Sequence, residues 1–110
     1  MQSWVSQLRK GVTELAVLAA LRRGEAYGYE LLQRVNGMDG LTLTESTVYP
    51  LLARLKREKH VDVRAAPSRS GPPRRYYRLT EDGHNRLREM ICQWQTVGTA
   101  VGQLIEEVAE

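Results

Sequence analysis

From Thr80 to the end of the chain, apolar residues recur with a single period. Leu87, Met90, Trp94, Val97, Val101, Leu104 and Val108 step alternately by three and four. Writing 87, 94, 101 and 108 as a, and 90, 97 and 104 as d, gives heptads, the seam along which helices associate. Thr80 suits the N-cap of such a helix, and Glu81 and Asp82 suit its positive N-terminal end. About 28 residues at 1.5 Å each make a rod roughly 42 Å long. A chain of 110 residues holds one small core, near the lower end of what folds alone. Such a core does not cover a rod of that length. The spacing therefore predicts a dimer interface along these seven residues, with a second copy of the chain as cover. The competing reading packs the whole helix on its own domain. Gly98 and Gly102 each weaken the helix by about 1 kcal/mol relative to alanine, which fits either a close crossing or a loose C-terminal end.

Ahead of the rod, three further helical patterns precede two strand patterns. In "VTELAVLAALRR", residues 12–23, nearly every position from Leu15 to Leu21 is apolar, which predicts a buried helix. Trp4, Val5 and Leu8 form a shorter segment before it, either a separate turn or an extension through Gly11. Gly24 ends the first helix. Gly28, Leu31, Leu32 and Val35 then mark one face of a second, closed by Asn36-Gly37. In "TESTVYPLLARLKREKH", Val48, Leu51, Leu52 and Leu55 repeat that spacing, with Ser46 or Thr44 as cap. Pro50 donates no N–H, so the third helix is expected to begin close to Ser46, placing Pro50 at or near the first turn. "HVDVRAA" alternates with Val61, Val63 and Ala65 inward. "RRYYRL" alternates with Tyr77 and Leu79 on one face and Arg74, Tyr76 and Arg78 on the other. "PSRSGPP" between them is turn chemistry, so the pair predicts a two-stranded β-hairpin.

Charge is concentrated on part of this layout. Residues 54–78 carry nine basic and two acidic side chains, a net +7 against −4 for the remainder. Such a segment points to a polyanion partner, against the blander reading of a solvated basic face. Helix, helix, helix, hairpin is the order of a winged helix-turn-helix, and the basic segment coincides with the third helix and the hairpin tip. The free face of the third helix presents Ser46, Thr47, Tyr49, Ala53, Arg54 and Arg57, fit for a DNA major groove. "RSGPPRR" is then the wing, with prolines stiffening its tip and arginines neutralising phosphate. The fold class expected is mostly α with a two-stranded hairpin. Residues 1–79 would form the DNA-binding domain, its first helix also serving the dimer interface. Residues 80–110 would form the dimerisation helix, packed on it as one compact unit.

Three blocks, "LAALRRGEAYGYELLQRV", "TESTVYPLLARLKREKHV" and "GPPRRYYRLTEDGHNRL", resemble the PadR family of transcriptional regulators across about residues 10–95. The resemblance is to its small subfamily, whose members dimerise through one long terminal helix. It implies Ser46, Thr47, Tyr49 and Arg54 facing the groove, with Arg74 and Arg75 on the wing, and it implies repression rather than activation. Two positions depart from the family pattern. His60 stands where glycine is usual, at an expected left-handed helix end. Pro72 replaces a residue that is often basic. The resemblance also implies a pore for planar aromatic molecules at the dimer interface. Its matching positions are Leu15, Leu18, Ala19, Met90, Ile91 and Trp94, with Glu14 as a polar contact. Two copies of Trp94 facing each other would offer flat apolar faces to such an effector. Ordinary interface filling is the other reading of Trp94.

Other classes are weakly supported. Cys92 has no partner for an internal disulfide, and His60 and His84 form no metal cluster with it. No nucleophile stands beside a plausible base, and no glycine loop for phosphate is present, so neither catalysis nor a cofactor is expected. No apolar run reaches the roughly 20 residues of a membrane span. The N-terminal "MQSWVSQLRK" lacks the pattern of a secretory signal, so a cytoplasmic protein is expected. The stronger rival is a winged-helix protein-interaction module whose basic face is merely solvated. Against it stands the coincidence of the +7 segment with recognition helix and wing. The expected partners are double-stranded DNA bearing an inverted repeat and a second copy of the chain.

Overall fold

A computed structural model describes the backbone of residues 4–109 and the side chains of residues 4–107. Its elements run α1 (Trp4–Lys10), α2 (Thr13–Leu21), β1 (Ala26–Tyr27), α3 (Gly28–Asn36), α4 (Glu45–Arg57), β2 (Val61–Ala66), β3 (Arg74–Leu79) and α5 (Glu81–Ala109). The order is that of a winged helix-turn-helix followed by a long helix. The short apolar segment before Gly11 is a helix of its own. The hairpin also gains a strand. β1 pairs antiparallel with β3, setting Ala26 opposite Tyr77 and Tyr27 opposite Tyr76, so the sheet has three strands in the order β1-β3-β2.

One core joins these elements. Val17, Leu18 and Leu21 of α2 meet Leu31 of α3, Leu52 and Leu55 of α4, and Val61 and Leu79 of the sheet. Burying each such side chain stabilises the fold by about 1.5–3 kcal/mol. The loop between α3 and α4 is pinned by Asn36. Its amide donates to the Leu43 carbonyl at 3.0 Å and accepts from the Leu43 N–H at 2.7 Å, which sets the entry of α4. Arg34 similarly holds the end of α2, donating to the carbonyls of Ala20 and Gly24 at 3.2 Å.

α4 begins at Glu45, one residue from the expected start, with Thr44 as its N-cap residue, so Pro50 lies inside the helix just past the first turn. Its missing N–H leaves the Ser46 carbonyl without a ladder partner. Ser46 and Pro50 are both exposed, where water can take that acceptor. At the other end the left-handed residue is Lys59, with φ 65°, not His60. The Lys59 N–H donates to the Lys56 carbonyl at 3.0 Å and the His60 N–H to the Leu55 carbonyl at 2.8 Å. This double closure places Lys at the position that glycine usually takes.

α5 starts against that same turn. The Thr80 N–H donates to the His60 carbonyl at 3.1 Å, and the Thr80 hydroxyl donates to the Lys59 carbonyl at 2.7 Å. The same hydroxyl accepts from the Gly83 N–H at 3.0 Å, the capping bond expected of Thr80. A Cβ at Gly83 would lie 2.0 Å from the His60 carbonyl oxygen, so only glycine allows the two segments to meet here.

Candidate nucleic-acid interface

The outer face of α4 begins in a cluster of hydroxyls. Thr44 Oγ1 lies 2.8 Å from Ser46 Oγ and 3.4 Å from Thr47 Oγ1, at an exposed helix N-terminus. Ser46, Thr47 and Arg57 are exposed, as expected of residues facing a groove. Tyr49 is only half available, because its ring lies over the start of α3. A Cβ at Gly28 would come within 2.5 Å of the Tyr49 ring, so the glycine makes room for the aromatic. Burial pushes the Tyr49 phenol up from its ordinary value, with the Glu45 carboxylate adding to the effect.

Arg54 is ion-paired within the chain and remains about a third exposed. Its guanidinium donates through Nη2 to Glu14 Oε1 at 2.7 Å and through Nη1 to Glu58 Oε1 at 2.9 Å. Glu14 in turn accepts from Arg86 Nε at 2.8 Å. A single carboxylate of α2 thus joins the last turns of α4 to the first turns of α5. Burial raises the Glu14 pKa, but the hydrogen bonds and charges of Arg86 and Arg54 outweigh it, and the net shift is downward. Glu14 was expected as a polar contact for a ligand, yet both of its oxygens are occupied. Partners 40 and 72 positions apart leave no periodic trace in a sequence.

Arg74 and Arg75 are exposed at the root of β3, and Arg69 lies in the turn. Arg64, on the neighbouring strand, is ion-paired with Glu25, and Arg78 lies 3.5 Å from Asp62. Among the described residues, the cations of the basic segment without an ion pair are Lys56, Arg57 and Lys59 at the end of α4 and Arg69, Arg74 and Arg75 in the wing. A feature that the sequence reading missed adjoins α4. A cleft of about 330 Å³ sets Arg9 and Lys10 of α1 beside Thr42 and Thr47.

The expected aromatic site divides. Leu15, Met90 and Trp94 come together in an open groove of about 590 Å³ between α1, α2 and α5, joined by Leu8, Arg86 and Val97. Leu18 does not belong there, since it is fully buried in the core. Ala19 faces a separate cleft with Arg23 and Met38, and Ile91 packs against the core. The dimer seam divides as well. Leu87 is 2% exposed and belongs to the chain's own core, whereas Trp94, Val97, Val101 and Leu104 are 46–61% exposed. The Val108 side chain lies outside the described residues.

Among the described residues no helix is long and apolar enough to cross a membrane, and no group of His, Cys, Asp or Glu is arranged to hold a metal ion. A PadR family transcriptional regulator from Eggerthella lenta DSM 2243 is similar in structure, with a TM-score of 0.84 and 36% identity over 94% of this chain and 89% of that one. A PadR-like transcriptional regulator from Bacillus cereus strain ATCC 14579 has a TM-score of 0.81 and 37% identity, over 91% of this chain and 97% of that one. Bacillus subtilis PadR, in complex with operator DNA, has a TM-score of 0.68 and 27% identity, over 73% of this chain and 45% of that one. Residues 17–89, from within α2 to the root of α5, match the Transcriptional regulator PadR-like family. On that match, and on the likeness of whole chains to its solved members, the protein belongs to the PadR-like family of transcriptional regulators.

Proposed function

We propose that the protein binds double-stranded DNA in a sequence-specific manner and represses transcription as a homodimer in the cytoplasm. Residues 1–79 carry the DNA-binding unit and residues 80–110 the dimerisation helix. One observation carries this reading: the exposed hydroxyl face of α4 and the free wing arginines Arg74 and Arg75 lie in the same winged unit. The solved complex of Bacillus subtilis PadR with operator DNA supports it. Ser46, Thr47, Tyr49 and Arg57 approach the base edges, while Arg74 and Arg75 neutralise phosphate. Arg54, held by Glu14, ties α4 to α2. The exposed stripe of α5 pairs with its copy, so the operator is an inverted repeat with half-sites about one helical turn apart. Planar aromatic molecules enter the groove at Leu15, Met90 and Trp94 and favour one wing-to-wing spacing over another.

Selection of bound duplexes from a random pool tests the reading. An inverted repeat should emerge. Arg75→Ala should weaken selected and random duplex alike and lower the log–log salt slope by about one. Ser46→Ala with Thr47→Ala should instead reduce the preference for the selected sequence. A pool that returns no repeat, or equal losses on both duplexes for both variants, contradicts it. For the effector, planar aromatics should quench tryptophan emission in a Trp4→Phe background and change DNA affinity. Unquenched emission in the Trp4→Phe variant, whose one remaining tryptophan is Trp94, would remove the groove from the account.

A further inference from the structure

The outward face of the sheet carries a connected row of side chains. Glu25 pairs with Arg64, whose guanidinium lies 4.8 Å from the centre of the Tyr76 ring. Tyr76 meets Tyr27 edge to face, with ring centres 5.6 Å apart. Arg74 lies over the other ring, 4.3 Å from the centre of Tyr27. The row follows from register, since Tyr76 sits opposite Tyr27 on β1 and opposite Arg64 on β2.

Its two ends differ in charge. Arg64 is stacked and also neutralised by Glu25. Arg74 is stacked and exposed, and among the described residues no carboxylate pairs with it. Among the described residues, no backbone hydrogen bond outside the strands involves residues 67–73. Tyr27, by contrast, is well anchored. It is the N-cap residue of α3, and its N–H donates to Glu30 Oε1 at 3.1 Å.

We propose that Tyr27 is a positioning residue for Arg74: its ring fixes the guanidinium of the wing root relative to the helix-turn-helix, so that the planar fork meets a DNA phosphate already oriented. The inference rests on the DNA-binding reading above. A guanidinium stacked on a ring keeps its N–H edge free, whereas a lysine ammonium offers no plane to hold in a fixed bearing. Preorganisation of this kind lowers the ordering cost of the contact without adding a new one.

The test uses the full chain and the duplex selected by the wild type, with affinity measured across a range of salt. Tyr27→Leu should bind about two- to fivefold more weakly, and Tyr27→Phe should match the wild type. Arg74→Lys should fall to the level of Tyr27→Leu while keeping its salt slope. In an Arg74→Ala background, Tyr27→Leu should cost nothing further. Additive losses in the double variant, or wild-type affinity in Tyr27→Leu or Arg74→Lys, overturn the proposal. If thermal melts find Tyr27→Leu unfolded, the exposed Arg74→Lys variant decides alone. A wild type that binds no duplex sinks the DNA reading itself, whereas a binding wild type with an unaffected Arg74→Lys sinks only this inference.

Discussion

The two ends of α5 carry the same spacing of apolar residues and meet opposite surroundings. At its root, Leu87 is 2% exposed and Met90 and Ile91 pack on the core. Beyond Trp94 the stripe continues unbroken, yet Leu104 and Ile105 are each 61% exposed. Periodicity decides which side of a helix is apolar. Whether that side is covered depends on how far the rest of the chain reaches, and here it reaches about as far as Ile91. The root is part of a self-sufficient unit, and the outer rod is a surface available to a second chain.

The sharpest way to break this contrast is to truncate each end separately. Leu87→Ala should destabilise the fold by about 2–5 kcal/mol, equally at every protein concentration. Leu104→Ala should act only through assembly, so its effect on the melting temperature should shrink as protein is diluted. Melts at two concentrations separate the cases, and a concentration-independent loss at Leu104 would assign the outer rod to the same core. Gly83→Ala comes next. Its Cβ would meet the His60 carbonyl oxygen, and prying α5 from the end of α4 should cost about 1–3 kcal/mol, read by chemical denaturation.

Glu14→Gln tests the root through charge, at about 1–2 kcal/mol. The folded pKa of Glu14 lies below its ordinary value of 4.5. Its contribution is therefore fully present above the unfolded pKa and lost as pH falls through the lower folded value. The variant should lose stability at neutral pH and show a flatter decline below about pH 4.5; an unchanged acid profile would mean that the bridge contributes little. The smallest effect is a gain. Lys59→Gly relieves a left-handed lysine beside the root and should stabilise by about 1 kcal/mol. A loss there would show that the lysine side chain contributes more than its backbone costs.

Legibility followed the length over which a pattern repeats. α3, α4 and both strands of the wing were readable because four or more residues of each alternate or recur. β1 is two residues long, too short to alternate, and its pairing with β3 is a tertiary event. α2 is apolar on nearly all sides, so its sequence does not say which face meets the core, and Leu18, placed in the pore by the family resemblance, lies in the core. The angular position of Arg54 on α4 was correctly read as outside the core. That angle, however, gave no hint of Glu14 waiting 40 residues earlier. The end of α4 was read one residue late, because the expected glycine is absent and only hydrogen bonds distinguish Lys59 from His60.

The contact between Gly83 and the His60 carbonyl has a mechanical consequence. α5 spans 29 residues, roughly 43 Å at 1.5 Å per residue, and its short arm abuts the turn that ends α4. Together they form an unequal lever with its fulcrum at a glycine. A tilt of about 10° swings the far end of such an arm through about 7 Å. Working backwards, a sideways push of a few ångströms among the outer residues reaches α4 as a rotation of only a few degrees. Large displacements at the periphery thus correspond to small angles where α5 meets the end of α4.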